Sequence, residues 1–431
     1  MSQATRARGD AAEAEKTSAT GLSSDDEPPT EQTVHDNDVP DGGVIAWIQV
    51  AAGHLVVFNC WGYISSFGFF QRYYVDELGL SSVQASWVGS VQMFLVFLLG
   101  AFSGRALDAG HFRFAVVLGC FLQVFGAAMV SLADRFWQIF LAQGLCSGIG
   151  HGILFSPVIS LLSTYFRRRR VMAVSLAACG AATGGMVFPA IAYACLPSIG
   201  FGWTVRIMAL VVLVNSIFIV LVTRTRVAPR KAGPLFELAA FKELPYTLFT
   251  VGCFIELWGL YFAYFFINLY ARHYFDYSQR DSLVLLLVMN GIGVVGRVAP
   301  AVLADRHFGP LKVFIAVVAM SGILLLCWIG VSSRVSLFVW AAFYGFFANA
   351  VQSQFPASAG LFALNDMRKA GSRVGMVFSV VSISCLTGPP ISARLVALNG
   401  GNYLYAQIFG GVAMLVGALV LAVAAYKLRE K

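Results

Sequence analysis

Charged and titratable side chains stand inside long apolar stretches of this 431-residue chain. Arg297 and Glu256 lie in two of these stretches, and His54 and His151 lie in two others. A charged group in hydrocarbon is costly and persists where it faces a bundle interior or a wet cavity, or reaches the membrane edge. A guanidinium there can bind an anion, whereas a carboxyl or an imidazole can take up and release a proton. These residues predict recognition of an anionic group and movement of protons.

The composition places these side chains in a membrane protein. Hydrophobic residues make up 58% of the chain and charged residues 12%, and the mean hydropathy is +0.74. A soluble domain has about 25% charged residues, and a membrane-spanning helix needs about 20 mostly apolar ones. We predict an all-α membrane protein with twelve transmembrane helices. The apolar runs lie at 44–70, 84–106, 113–133, 136–164, 171–196, 202–223, 246–270, 281–304, 311–331, 335–358, 373–396 and 403–426.

The regions outside these runs predict the organisation of the chain. The first 43 residues hold ten acidic and three basic residues and few large apolar ones, which is typical of a disordered acidic cytoplasmic tail. A basic stretch with prolines follows the sixth run and predicts a cytoplasmic linker. The predicted units are a tail at 1–43, a six-helix half at 44–223, a linker at 224–245, a six-helix half at 246–426 and a short cytoplasmic tail at 427–431.

The distribution of Lys and Arg predicts the orientation, because basic residues in short loops stay on the cytoplasmic side. With the N-terminus inside, the inner loops and the C-terminal tail hold 19 basic residues and the outer loops hold 5. The bias predicts a multi-pass protein with both termini in the cytoplasm. The cell membrane is the expected location, and an internal membrane such as that of the vacuole is the alternative.

One pattern occurs twice at equivalent places. GRALDAGHFR at 104–113 and GRVAPAVLADRHFGPLK at 296–312 each contain Gly-Arg, an Asp, a Gly and then a basic residue. The pair resembles the signature loops of the major facilitator superfamily, whose fold has two pseudo-symmetric six-helix halves. The resemblance implies a gate on the inner face, and ordinary helix-end charges are the alternative. The gating residues would be Asp108, Arg113, Asp305, Arg306 and Lys312.

Three further motifs narrow this resemblance. DGGVIAW at 41–47, YFRRRRVMAVS at 165–175 and CGAATGGMVFP at 179–189 together resemble the monocarboxylate porter family in its fungal branch. The resemblance implies secondary transport of a small solute, and fungal members of that family also export secondary metabolites. The chain departs from the family pattern at Val44, where an aromatic residue is usual.

Arg297 carries the substrate prediction. It stands eight residues before Asp305, which marks the inner end of the eighth helix, and so lies about 12 Å from that end. In the family that the chain resembles, an arginine on this helix binds the substrate carboxylate. The family's Asp one turn earlier is Gly293 here, and its lysine in the first helix has no counterpart. Arg297 is expected to meet an anion on a ligand or on Glu256, with a snorkelling structural role as the alternative.

Two residues are predicted to carry the coupling proton. Glu256 lies about ten residues into the seventh helix, where a carboxyl is neutral or pairs with a cation. His54 lies at a similar depth in the first helix and can relay protons. The alternative for both is a hydrogen-bonded packing role. The predicted substrate-binding residues are Arg297, Asn290, Asn59, His151, Trp258 and Tyr261.

Other activities lack their sequence patterns. No Walker sequence is present, the cysteines form no CxxC, and the basic residues lie in short loops. We therefore expect no cofactor, no metal site, no nucleic-acid partner and no enzymatic activity. The expected partners are a small-molecule solute, protons and the lipid bilayer. We predict a secondary transporter of a small, anionic organic solute with proton coupling, most simply an exporter of a fungal secondary metabolite. Proton-coupled uptake of a monocarboxylate and a non-transporting solute sensor are the alternatives.

Overall fold

The computed structural model describes residues 41–103, 110–166, 169–226, 237–362 and 370–429, and these residues form helices and no strands. Eleven segments in this part of the chain are long and apolar enough to cross a membrane. They are α1 Val44–Asp76, α2 Ser82–Ser103, α3 Phe112–Val130, α4 Phe136–Leu162, Met172–Val222, α7 Leu244–Phe275, α8 Arg280–Phe308, α9 Pro310–Gly330, α10 Arg334–Leu361, α11 Ser372–Leu398 and α12 Leu404–Leu428.

The segment Met172–Val222 accounts for two of the predicted runs. Its helix Gly180–Val222 is 43 residues long, or about 65 Å at 1.5 Å per residue, which is twice the thickness of a bilayer core. The helix is broken at Gly200, where φ is 71° and ψ is 177°. A residue with a side chain rarely adopts this φ, so glycine permits the break. We call residues 172–199 of this segment α5 and residues 201–222 α6.

Two segments at equivalent places in the chain are interrupted. In α1, the helix Val44–Val57 continues as a π-helix over Phe58–Gly62. The helix of α1 then changes direction at Ser66, before Phe67–Asp76. In α7, the helices Leu244–Leu260 and Phe262–Phe275 meet at Tyr261. Irregular helices inside a membrane are tolerated where protein or a cavity satisfies the freed backbone groups.

Further irregular turns lie in other segments. In α4, a π-helix over Phe140–Ser147 precedes the helix Gly148–Tyr165. In α8, the helix Gln279–Leu303 ends in a π-helical turn over Ala304–Phe308. A short 3-10 helix, Leu238–Lys242, precedes α7.

Glycines set the distance between α5 and its neighbours. A Cβ on Gly184 would lie 2.9 Å from the Cα of Gly62 in α1, and a Cβ on Gly185 would overlap the amide of Asn290 in α8. Small residues let helices approach closely in a membrane, where packing rather than the hydrophobic effect drives association. The segments α1–α6 meet α7–α12 mainly where α2 packs on α11, where α5 packs on α8, and where the far ends of α1 and α7 meet.

Candidate functional site

Arg297 lies at the contact between the two sets of six segments, on α8. Its side chain is buried, with 4% of the residue exposed. One Nη donates to Oε1 of Gln352 in α10 at 3.0 Å, and its Nε is buried without a hydrogen-bond partner. Among the described residues no carboxylate forms an ion pair with this guanidinium, so its remaining donors are available to an anion.

An asparagine occupies the space beside Arg297 where the family that the chain resembles carries an Asp. A Cβ on Gly293, one turn before Arg297, would overlap the side-chain amide of Asn349 in α10. The Nδ2 of Asn349 donates to the hydroxyl of Tyr264 at 2.8 Å and to the carbonyl of Gly345 at 2.8 Å. Its Oδ1 has no partner. The group next to Arg297 is therefore neutral.

The predicted pairing of Arg297 with Glu256 is not made in this structure. Glu256 is fully buried, and neither of its carboxyl oxygens has a hydrogen-bond partner. Its Cβ faces Gly417 of α12, at 2.7 Å from where a Cβ on that glycine would stand. A carboxyl without a cation or a donor avoids ionisation in a low-dielectric interior. Its position fits a protonated group within the packing of α7 and α12.

Asn290 lies two turns before Arg297 on the same side of α8, at the contact with α5. Its Nδ2 donates to the carbonyl of Leu286 at 2.9 Å, and its Oδ1 is buried without a partner beside Gly185. Asn290 thus brings an unused acceptor to the surface between the two sets of segments.

The two predicted aromatic residues have different surroundings. Tyr261 is buried and lies parallel to Trp61 of α1, with ring centroids 6.4 Å apart and an interplanar angle of 15°. Trp258 instead donates from Nε1 to Thr387 of α11 at 2.9 Å and packs on Phe409 of α12. Trp258 therefore contacts segments of its own set, and Tyr261 contacts the other set.

His54 is half-buried and joins α1 to α5. Its Nδ1 lies 2.9 Å from the carbonyl of Leu176, and its Nε2 lies 3.0 Å from the hydroxyl of Thr183. A carbonyl only accepts, so Nδ1 carries a hydrogen and the neutral ring accepts from Thr183 at Nε2. The Thr183 hydroxyl can also donate to the carbonyls of Cys179 and Gly180. A protonated imidazole would thus be accommodated by rotation of one hydroxyl.

His151 and Asn59 belong to a second polar cluster, within α1–α6. The Nδ1 of His151 lies 3.2 Å from Nε2 of Gln92, and Oδ1 of Asn59 accepts from Asn215 at 2.9 Å. Both line a narrow crevice with Tyr63, which has no room for a water molecule. The structure thus brings His151 and Asn59 together. Neither residue takes part in the hydrogen bonds that hold Arg297. Among the described residues, no group of His, Cys, Asp or Glu is arranged to hold a metal ion.

We call the end of the bundle where α2 passes to α3 and α8 to α9 the proximal rim. Of the predicted gating residues, Asp108 lies outside the described residues. Asp305, Arg306 and Lys312 are exposed, and none forms an ion pair with a described residue. Arg113 donates to the carbonyl of Thr223 in α6 at 3.4 Å, within its own set. The ion pairs formed there by described residues join Arg373 of α11 to Glu237 at 3.0 Å and to Glu243 at 2.6 Å.

The opposite end, which we call the distal rim, holds residues that the sequence analysis did not select. Arg72 of α1 is 5% exposed and donates to Asp76 at 3.2 Å. It also donates across to the carbonyls of Ser278 at 3.0 Å and Tyr277 at 3.1 Å, and to the hydroxyl of Ser282 at 2.6 Å.

Two further contacts cross the distal rim. Arg272 of α7 forms an ion pair with Asp76 of α1. The guanidinium of Arg280 in α8 lies 4.2 Å from the ring centroid of Tyr193 in α5. A signal for the first contact was present in the sequence, since RYYVD at 72–76 and RHYFD at 272–276 are the same R-x-Y-x-D pattern.

The sequence of this chain is similar to those of known membrane transporters. Residues 53–364 match the family model described as Major Facilitator Superfamily. An MFS-type transporter of Gibberella zeae is 40% identical over 387 residues, which is 89% of this chain and 87% of that protein. The aspyridones efflux protein apdF of Emericella nidulans is 33% identical over 88% of this chain and 78% of its own length.

Two solved structures share the fold. The human organic anion transporter MFSD10 superposes with a TM-score of 0.66 and 14% identity, over 88% of this chain and 98% of that one. The nucleoside transporter NupG superposes with a TM-score of 0.65 and 14% identity, over the same shares. At this identity the likeness concerns the fold alone, and it confirms the predicted architecture of twelve transmembrane helices in two pseudo-symmetric halves.

Proposed function

This chain belongs to the Major Facilitator Superfamily, whose members are membrane transporters and not enzymes, and we propose that it exports a small organic anion by alternating access. The relatives are fungal transporters, and one of them carries the name of an efflux protein. The two halves, predicted at 44–223 and 246–426, would rock about a site at their contact. The export of a fungal secondary metabolite is the form of this activity that we favour.

The arrangement around Arg297 is the observation that carries the proposal. Its guanidinium is buried, its Nε has no partner, and its hydrogen bond goes to the neutral amide of Gln352. An uncompensated buried charge is costly, so an anion that enters the site gains a strong, charge-assisted pair. Asn290, with its unused Oδ1, would orient a polar group of the same solute.

Proton coupling is a separate part of the proposal. Glu256 would carry the proton, since its carboxyl has no partner in this conformation and can ionise only when a conformational change brings water or a cation to it. His54 would relay the proton, because it is half-buried and Thr183 can adapt to both of its protonation states. The residues Asp305, Arg306, Lys312, Arg113 and Asp108 would close the proximal rim in the opposite conformation.

The orientation is proposed from the distribution of basic residues. The proximal rim would face the cytoplasm, with both termini on that side. The plasma membrane is the proposed location, with the vacuolar membrane as the alternative.

Proton-coupled uptake of a small monocarboxylate is the second candidate, from the resemblance to monocarboxylate porters. The neutral Asn349 amide fills the place beside Gly293 where those porters carry an Asp, and α1 contains no lysine. This difference from the porters favours a solute other than a small monocarboxylate. It is the reason we rank first the export of an organic anion that is larger than those monocarboxylates. A solute sensor without transport is the third candidate and is separated from the others by flux.

A flux assay in a transporter-poor yeast tests the proposal. Cells would be loaded with a panel of carboxylic acids and their matched amides, and release and internal pH would be recorded for the wild type, Arg297→Gln and Arg297→Lys. We expect the wild type to move acids faster than amides. In Arg297→Gln the flux of acids should fall by a factor of at least about ten, because one charge-assisted contact is lost. Arg297→Lys should keep part of it, because it keeps the charge but not the forked geometry.

Arg206→Gln is the matched control. The Arg206 Nε donates to Ser131 at 3.3 Å, and its guanidinium lies 4.6 Å from the Trp203 ring centroid, within α1–α6. Its loss should leave the preference for acids unchanged. Equal flux of acids and amides in the wild type, or the same acid preference in Arg297→Gln, would show that Arg297 is structural and that the anion proposal is wrong.

A further inference from the structure

Trp61 and Tyr261 occupy equivalent positions in the two halves. Each stands seventeen residues after the first residue of its segment, α1 or α7. Trp61 lies in the π-helix Phe58–Gly62, and Tyr261 lies between the two helices of α7. Both rings are thus held where the helix is irregular, which is where functional sites in helices often lie.

The two rings lie parallel, with their centroids far apart for a stacked pair. They are parallel within 15°, but their centroids are 6.4 Å apart. Tyr73 and Phe201 show what a direct stack looks like in this protein, at 3.6 Å and 2°. Phe97 and Phe155 meet Trp61 edge-on at 5.2 Å and 5.7 Å and fix the plane of its ring. The pair therefore has defined, parallel planes and a wider centroid spacing than the stack of Tyr73 on Phe201.

A continuous path of side chains joins this pair to Arg297. The ring of Tyr261 lies 6.4 Å from that of Tyr264, whose hydroxyl accepts from Asn349. Gln352 follows Asn349 on the same face of α10 and holds Arg297 at 3.0 Å. An apolar aromatic surface and a cation that pairs with no carboxylate among the described residues thus lie at one contact between the halves.

We propose that Trp61 and Tyr261 form a clamp for a flat conjugated ring, and that the substrate is a planar aromatic or conjugated organic acid. This inference rests on the proposed anion transport and adds the chemical class of the solute. A ring inserted between two others needs about 7 Å between their planes, twice the contact distance of carbon atoms. A small displacement of α1 from α7 supplies that space. Two aromatic faces then favour a flat ring over a puckered one of equal size.

Binding of two matched probes to the full-length protein in lipid nanodiscs tests the clamp. The probes are 2-naphthoate, which is flat, and decahydro-2-naphthoate, which has the same carbon skeleton and charge but puckered rings. We expect the wild type to prefer 2-naphthoate by about tenfold, the contribution of two ring faces. The preference should fall to about one in Trp61→Leu and Tyr261→Leu. Trp61→Phe should keep most of it, because a ring face remains.

Trp47→Leu is the matched control, since Trp47 lies on α1 as Trp61 does but packs edge-on against Phe166 at 5.1 Å, within the first half. It should keep the wild-type preference. An unchanged affinity for decahydro-2-naphthoate in Trp61→Leu would show that this variant is folded, and Tyr261→Leu gives an independent test if it is not. A wild-type preference near one, or a preference that survives in both leucine variants, would overturn the clamp.

Arg297→Gln separates this proposal from the one on which it rests. The variant should bind both acids more weakly and by the same factor, so the preference for the flat ring remains. Unchanged affinity for both acids in Arg297→Gln would refute the anion site but not the clamp. Loss of the preference for the flat ring in the two leucine variants, and not in Arg297→Gln, would support the clamp independently of the charge.

Discussion

The two rims of the bundle hold its halves together in different ways. At the distal rim, Arg72, Arg272 and Arg280 each contact a residue of the other half. Towards the proximal rim, the contacts that cross between described residues are apolar, such as the edge-on packing of Phe97 on Phe378 at 5.5 Å. The ion pairs of Arg373 remain within the second half and the chain before it.

This difference indicates which rim is closed. Charged contacts that cross a boundary must break before the boundary opens, and a buried one is costly to break. Apolar contacts can slide with smaller loss, because dispersion is not directional. Among the described residues, the charged contacts that cross between the halves therefore hold the distal rim closed, and we expect the proximal rim to open first.

Among the variants that test this difference between the rims, Arg72→Gln should lower the stability most. The variant removes a buried cation that ties α1 to the α7–α8 connection, and we expect a loss of about 3 kcal/mol in the distally closed state. The melting temperature in detergent should fall clearly, and transport should slow. Arg334→Gln is the control, because Arg334 is an exposed distal arginine that donates to Phe275 of its own half at 2.8 Å. Equal melting temperatures for the two variants would contradict a special role of Arg72.

The Asp76–Arg272 pair should have a smaller effect, because Arg272 is about half-exposed and its charge is screened by solvent. A cycle of Asp76→Asn, Arg272→Gln and the double variant measures it. We expect a coupling of about 0.5 to 1 kcal/mol between the two positions. Strictly additive changes in the denaturation midpoint would mean that the pair does not contribute to closure.

The contact of Arg280 with Tyr193 should be weaker still. Tyr193→Leu removes the ring face beneath the guanidinium, and because Arg280 is exposed we expect a loss at the low end for such contacts, about 0.5 kcal/mol. Tyr193→Phe keeps the ring and should behave as the wild type in thermal unfolding. A loss of stability in Tyr193→Phe as large as that in Tyr193→Leu would assign the effect to the hydroxyl.

Asp305→Asn should leave the stability of this state unchanged, within about 0.5 kcal/mol, because Asp305 is exposed and forms no ion pair with a described residue. If Asp305 closes the proximal rim in the other conformation, turnover should fall while the melting temperature stays the same. A large drop in melting temperature would show that the proximal rim is already locked, and the contrast between the rims would be lost.

Much of the fold was predictable because it follows from local composition. The apolar runs mark the segments, and the break at Gly200 lies between the predicted runs 171–196 and 202–223. The irregular turns at Trp61 and Tyr261 were not predictable, since they depend on what the neighbouring segments satisfy and not on a local breaker such as proline.

The sequence pointed to Arg297 by its depth but not to the side chains that contact it. The depth of Arg297 could be read from its distance to Asp305, whereas Gln352 is 55 positions away and is brought near only by the packing of α8 on α10. The expected partner Glu256 points towards α12, a direction that the periodicity of α7 alone could not assign. The distal arginines were counted for orientation only, although the repeated R-x-Y-x-D pattern set two of them at equivalent places.

The close contact of Gly293 with Asn349 has an electrical consequence. No carboxylate can stand beside Arg297 at that position, so the empty site carries one positive charge and the site filled by a monoanion carries none. A membrane voltage then acts on the return of the empty carrier and not on the loaded step, with about 2.3 kcal/mol available for each full charge per 100 mV. With the cell interior negative, that voltage would draw the empty site back inward, which favours the direction of export proposed above.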